Sequence, residues 1–152
     1  MKGGEKFAFD TNIFISRPRT PLSPQLYFSS IVLAELLAGA QDRARIKELE
    51  TWRYAAVRFD RFLVPTGEDW WEAGKALQRL SQTSKRENFG STPKSSPEER
   101  GRLFNDCLLA VSCRRAGVVV VSDNAKDFER LSGACRVKWQ SRDDFFTEQS
   151  AG

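Results

Sequence analysis

Short apolar runs alternate with longer stretches in which apolar residues return every three or four positions, and this alternation predicts strands and helices in turn. Phe7-Ala8-Phe9 opens the series and runs straight into Asp10-Thr11-Asn12. Leu26-Tyr27-Phe28-Ser29, Phe62-Leu63-Val64 and Val118–Val121 come next as further strands, and Val137-Lys138-Trp139 reads as a final edge strand. Pro18 and Pro21 stop any helix that starts after Asn12. Helical spacing covers Ile31–Ala40, with Ser30 as cap and Gly39 at its end, then Asp42–Val57 and Gly67–Leu80. Ile46, Leu49, Trp52 and Ala56 mark the buried side of the second of these, and Trp70, Ala73, Leu77 and Leu80 that of the third. Leu103–Ala116 is apolar on most faces, which predicts a central helix ended by Gly117. Ser81 to Arg102 is rich in Ser, Lys, Arg, Glu and Pro and is expected as a long polar loop or insertion; the tail from Gln140 is polar as well.

Strand alternating with helix is the signature of an α/β fold with a central parallel sheet flanked by helices. The unbroken β-branched run Val118–Val121 marks a strand covered on both faces. With 152 residues, 40% of them hydrophobic, the chain can bury one real core, so residues 1–152 are expected to form a single domain. No apolar run reaches the roughly 18 residues of a membrane span, and no apolar signal core opens the chain, so no membrane association and a cytoplasmic location are expected.

The absence of histidine removes Ser-His-Asp and Cys-His catalysis and HExxH zinc sites. Cys107, Cys113 and Cys135 are odd in number and lack CxxC spacing, which predicts buried, reduced thiols. Chemistry is left to carboxylates, Lys, Ser/Thr, Tyr or Cys. A net charge of +4 tilts the choice of partner toward a polyanion.

Most acids sit in polar runs and need only water. Asp10 is different, because it comes directly after a strand, where ligands collect in an α/β sheet. Glu35 interrupts Ile31, Val32, Leu33, Leu36 and Leu37, and Asp106 interrupts the central helix, so both are expected in apolar surroundings. The turn Ser122-Asp123-Asn124-Ala125-Lys126-Asp127 comes after the valine strand and should lie at the same sheet edge as Asp10. Carboxylates brought together repel unless a cation intervenes, and an oxygen-only donor set selects Mg²⁺ or Mn²⁺. The reaction class this predicts is phosphodiester hydrolysis, with Arg17, Arg19, Arg43, Arg45, Lys85, Arg86 and Lys94 as candidates for gripping the substrate backbone.

FDTNIFIS at Phe9–Ser16, SSIVLAELLAG at Ser29–Gly39, NDCLLAVSCRRAG at Asn105–Gly117 and VVSDNAKDF at Val120–Phe128 together resemble PIN-domain ribonucleases, specifically the VapC-like toxins of type II toxin–antitoxin pairs. The resemblance implies a PIN-like fold and an RNA endonuclease dependent on Mg²⁺ or Mn²⁺, with Asp10, Glu35 and Asp106 as metal ligands. It sets Asn124 where many relatives have a fourth acid, with Asp127 as the nearby acid of the Asp-Phe pair and Asp123 as an alternative. Ser122 takes the place of a usual Thr, and Asn12 and Asn105 become supports for the ligands. A homodimer and an inhibitory antitoxin protein are implied too. Two rival readings are a haloacid-dehalogenase-like phosphatase, with Asp10 as nucleophile and Asp123 and Asp127 on Mg²⁺, and a catalytically inactive RNA- or protein-binding module.

Overall fold

The computed structural model describes residues 4–16, 23–87 and 96–150, with the backbone alone for residues 84–87. Five strands form one sheet: β1 (Phe7–Phe9), β2 (Leu26–Ser29), β3 (Phe62–Leu63), β4 (Val119–Ser122) and β5 (Trp139–Ser141). Seven helices flank it among the described residues: α1 (Thr11–Ser16), α2 (Ser30–Ala38), α3 (Arg43–Arg58), α4 (Gly67–Glu87), α5 (Pro97–Ala116), α6 (Ala125–Cys135) and α7 (Arg142–Ser150). The strand order is β3-β2-β1-β4-β5, and every neighbouring pair is parallel. This is the expected α/β architecture in a single domain.

The chain lays β2 and β3 outward on one side of β1, then returns to add β4 and β5 on the other. Phe7 pairs with Leu26 on one side and Val119 on the other, so β1 and β4 lie side by side where the winding reverses. In such sheets that switch point, beyond the carboxyl ends of the strands, opens the crevice that receives ligands. Every residue of β1 and β4 is buried, as their apolar runs require.

Local signals explain the helix ends. Ser29, one residue before the expected cap, accepts a hydrogen bond from the Ile31 N–H, and Asp42 does the same for the Arg45 N–H. Gly117 closes α5 at φ 68°, a left-handed position that suits glycine.

Several expectations fail, among them the burial of Ile46, which is exposed on α3. The loop expected over residues 81–102 is mostly helix where it is described: α4 continues to Glu87, and α5 begins at Pro97 behind a Ser96/Glu99 capping box. Gln, Lys, Arg and Glu are good helix formers, so polarity there marks an exposed helix end rather than a loop. Only residues 88–95 of that stretch lie outside the described residues. The final strand is Trp139–Ser141 rather than Val137–Trp139, and Val137 joins the core instead. The polar tail forms α7, whose buried Phe145 packs against Phe7 and Phe9 with ring centroids 4.8 and 5.6 Å apart. In α4, Trp70 is 53% exposed rather than buried, and Asp69 is the residue that sinks in.

The three cysteines are buried and unpaired by disulfides, as expected. Burial holds the Cys113 thiol well above its ordinary range, and a hydrogen bond with Cys135 does so for Cys107. Among the described residues no helix is long and apolar enough to cross a membrane.

Candidate active site

Asp10 is the first residue beyond β1, and its backbone N–H donates to the Val121 carbonyl at 2.9 Å, which fixes it beside the end of β4. Its side chain is almost fully enclosed. Oδ1 accepts the Thr11 N–H at 2.8 Å and Oδ2 accepts the Ser122 hydroxyl at 2.9 Å. Ser122 is held in turn, because its Oγ accepts the Asn124 N–H at 3.0 Å. Asn12 reaches across the same edge, its Oδ1 accepting the Asp123 N–H at 3.2 Å. A strand end, the Thr11 N–H and the Ser122 hydroxyl thus aim one buried carboxylate.

Glu35 arrives from α2. It is exposed, contrary to the apolar setting expected for it, because Val32, Leu33 and Leu36 take the buried side of the helix. Its carboxylate faces α1 and α5: Oε2 accepts the Thr11 hydroxyl at 2.6 Å, and Oε1 accepts the Asn105 amide at 3.1 Å. Asp106, the next residue of α5, is half-buried and feels the charges of Asp10, Asp127 and Glu35. Desolvation foremost, then those three charges, push its carboxyl up to about 8 against the opposing pull of Arg102. Burial raises Asp10 too, opposed by the bonds from Ser122 and Thr11, with Glu35 adding repulsion. Asp127, in the first turn of α6, accepts the Asn124 amide at 2.7 Å.

The ion pairs among the described residues lie elsewhere, as Arg45–Glu48, Lys75–Glu72, Arg115–Asp69 and Arg142 with Asp123 and Asp143. None of these pairs engages Asp10, Glu35, Asp106 or Asp127. Asp123 is therefore drawn toward Arg142, at 3.2 Å, while the other acids face one another. Among the described residues no three of these groups close into a ready coordination cage. The residues nonetheless suit a hard divalent cation: the donors are oxygens, they repel one another, and Asp10 is already oriented by two donors.

Thr11 and Arg102 give no signal in the sequence. Thr11 carries no charge to draw notice, though its place at the start of α1 puts its hydroxyl on Glu35. Arg102 falls within the stretch expected as a loop. Of the candidate backbone grips, Arg43 is exposed on α3, and Arg45 is engaged with Glu48 and Trp52. Arg17, Arg19 and Lys94 lie outside the described residues, as do the side chains of Lys85 and Arg86.

The family model described as the PIN domain matches residues 7–134. Among solved structures, DNA-bound VapBC from Salmonella typhimurium superposes with a TM-score of 0.59 at 20% identity, covering 90% of this chain and 98% of that one. VapBC-1 from nontypeable Haemophilus influenzae gives 0.57 at 22% identity, covering 89% and 96%. VapBC2 from Rickettsia felis, bound to a promoter DNA fragment, gives 0.56 at 17% identity, covering 89% and 97%. Comparison with curated proteins finds no match.

Proposed function

The chain belongs to the PIN-domain family, and from that premise we propose that it is an endoribonuclease dependent on Mg²⁺ or Mn²⁺, the toxin of a toxin–antitoxin pair. One observation carries the reading: acids from separate parts of the chain, Asp10, Glu35 and Asp127, come within electrostatic reach of Asp106, and none of the ion pairs named above engages any of the four. The similarity to VapBC complexes supports a cognate antitoxin protein as partner. A homodimer and a cytoplasmic location complete the proposal.

Asp10, Glu35 and Asp106 would hold the cation, with Asp127 or Asn124 completing the set. Bound there, the ion supplies charge neutralisation and Lewis-acid stabilisation of the phosphoryl oxygens. The chain's own groups prepare the site. Ser122 and the Thr11 N–H hold Asp10 in one orientation and favour its charged form. Thr11 and Asn105 fix Glu35 from two sides. With its carboxyl pushed up to about 8, Asp106 would carry a proton at neutral pH, so Mn²⁺ binding at pH 7 should be accompanied by proton release. The phosphatase alternative gives no task to Glu35 and Asp106, whose charges act on Asp10 and on each other.

The test incubates purified protein with cellular RNA in Mn²⁺ and in chelator, beside Asp10→Asn. Cleavage by wild type in Mn²⁺, lost with chelator and in the variant, is the expected result. Equal cleavage by the variant would show a contaminating nuclease, and no cleavage with no Mn²⁺ binding would favour the inactive module.

Ser122→Ala removes both the donor to Asp10 and the acceptor for the Asn124 N–H. Supports of this kind are worth roughly 10- to 100-fold in metal affinity, so Mn²⁺ binding followed by calorimetry should weaken by that factor. An unchanged affinity would mean Asp10 needs no help from β4.

A further inference from the structure

The helices α5 and α6 carry Asp106 and Asp127, and both run antiparallel to the strands, so their far ends lie at the opposite edge of the sheet. There, with α4, they enclose an open cleft of about 710 Å³. Among the described residues four guanidinium groups line it, from Arg79, Arg114, Arg130 and Arg136, against one carboxylate, Glu72. Lys75 already answers that carboxylate at 2.7 Å.

The cleft is built rather than incidental. Arg79 donates to the Ala134 carbonyl at 3.0 Å and Arg114 to the Cys135 carbonyl at 3.1 Å, which satisfies the end of α6 and holds both guanidiniums in place. Each of these two guanidiniums has five N–H donors and makes one bond there, so further donors remain for a ligand. Arg136 sits at φ 54°, ψ 38°, the left-handed position past a helix end that usually falls to glycine. An arginine accepts that strain while contributing its charge to the cleft. Among the described residues no aromatic side chain lines the cavity, so none there can stack on a base. Phosphate groups are the ligand this chemistry fits.

We infer that this arginine cleft grips the phosphodiester backbone of the RNA substrate away from the cleavage point, without reading its bases. The inference rests on the nuclease reading and extends it to a second contact. Asp106 and Arg114 are eight residues apart on α5, about 12 Å along the axis, so the contact lies more than one nucleotide from the acids.

The test measures binding of a labelled single-stranded RNA of about 20 nucleotides to the full chain in EDTA, across a salt series, for wild type, Arg136→Gly and the Arg130→Gln/Arg136→Gly pair. The pair should bind about tenfold more weakly at low salt, and the slope of log affinity against log salt should shrink by about 1 for each arginine removed. Arg136→Gly should bind more weakly while melting no earlier than wild type, because glycine relieves the left-handed backbone. Unchanged affinity and slope in the pair would overturn the inference, as would a response confined to duplex DNA run alongside. An Arg136→Gly protein that melts earlier and binds normally would assign that arginine to structure alone. Since binding is read without metal, failure here is distinct from failure of cleavage in Mn²⁺.

Discussion

Replacing Asp106 by Asn is expected to cut RNA cleavage on the order of 10³-fold and, in metal-free buffer at pH 8, to make the protein harder to melt. Folded Asp106 keeps its proton to about pH 8, whereas in the unfolded chain an aspartate releases it near about 3.9. Between those values the folded state binds more protons, so its stability falls as pH rises through the window and is lowest above it. Asn carries no charge and escapes this penalty. For a half-buried side chain the gain at pH 8 should be about 2 kcal/mol, or roughly 4–8 °C in Tm at this chain length. At pH 3 and below, where Asp106 is protonated in both states, the two proteins should melt alike. Mn²⁺ should raise the wild-type Tm at pH 8 and leave the variant nearly unmoved. Thermal melts in EDTA at the two pH values, beside an RNA cleavage assay, settle the matter. A variant that melts earlier at both pH values, or that still cuts RNA, would show that Asp106 serves the fold and not the site.

A second large effect is expected where α4 meets α5. Asp69 is 3% exposed, and its two oxygens accept the Arg115 guanidinium at 2.9 and 3.2 Å; one of them also accepts the Thr66 N–H. Arg115 reaches on to the Val64 carbonyl at 3.3 Å. Arg115→Ala strips the cation and leaves a buried charge with the Thr66 amide for company. Arg115 is itself 44% exposed on its side chain, so the loss should be about 2–3 kcal/mol rather than the larger cost of a fully enclosed pair. Urea denaturation should show a lower midpoint with an unchanged slope. Replacing both residues by leucine should recover most of the deficit, because no orphaned charge remains. If the single and double variants lose equal stability, the pair contributes through packing and not through charge.

The sheet and the acids at its edge are legible because each rests on a local pattern. Phe7-Ala8-Phe9 and Val118–Val121 are too apolar to be anything but interior strands, and both are. The last residue of such a strand and the one just past it must lie at the strand's end, which brings Ser122 and Asp10 together. The misses share a different cause. Residues 81–87 and 97–102 are polar and helical, and composition alone treats such residues as loop, although the Ser96-Pro97-Glu98-Glu99 run is a helix start. Gln140 and Ser141 extend β5 because strand pairing needs backbone groups and not apolar side chains. Phe145 is one aromatic in a polar tail, and its partners Phe7 and Phe9 lie at the other end of the sequence. Glu35 has apolar neighbours in sequence, yet the turn of α2 carries it outward to Thr11 and Asn105. Spacing along a chain cannot foretell a bond across 70 residues.

The bond from Ser122 to Asp10 joins residues 112 apart, and the β1–β4 pairing beneath it spans the same gap. Closing so long a stretch is entropically slow, and chains dominated by such distant pairings fold late and haltingly. The same closure sets Asp10 and Ser122 at the edge where Glu35, Asp106 and Asp127 gather, so the acids meet only once the two halves of the sheet have paired. A half-folded chain therefore lacks the assembled acids, and a divalent ion that binds them should favour the native state during renaturation.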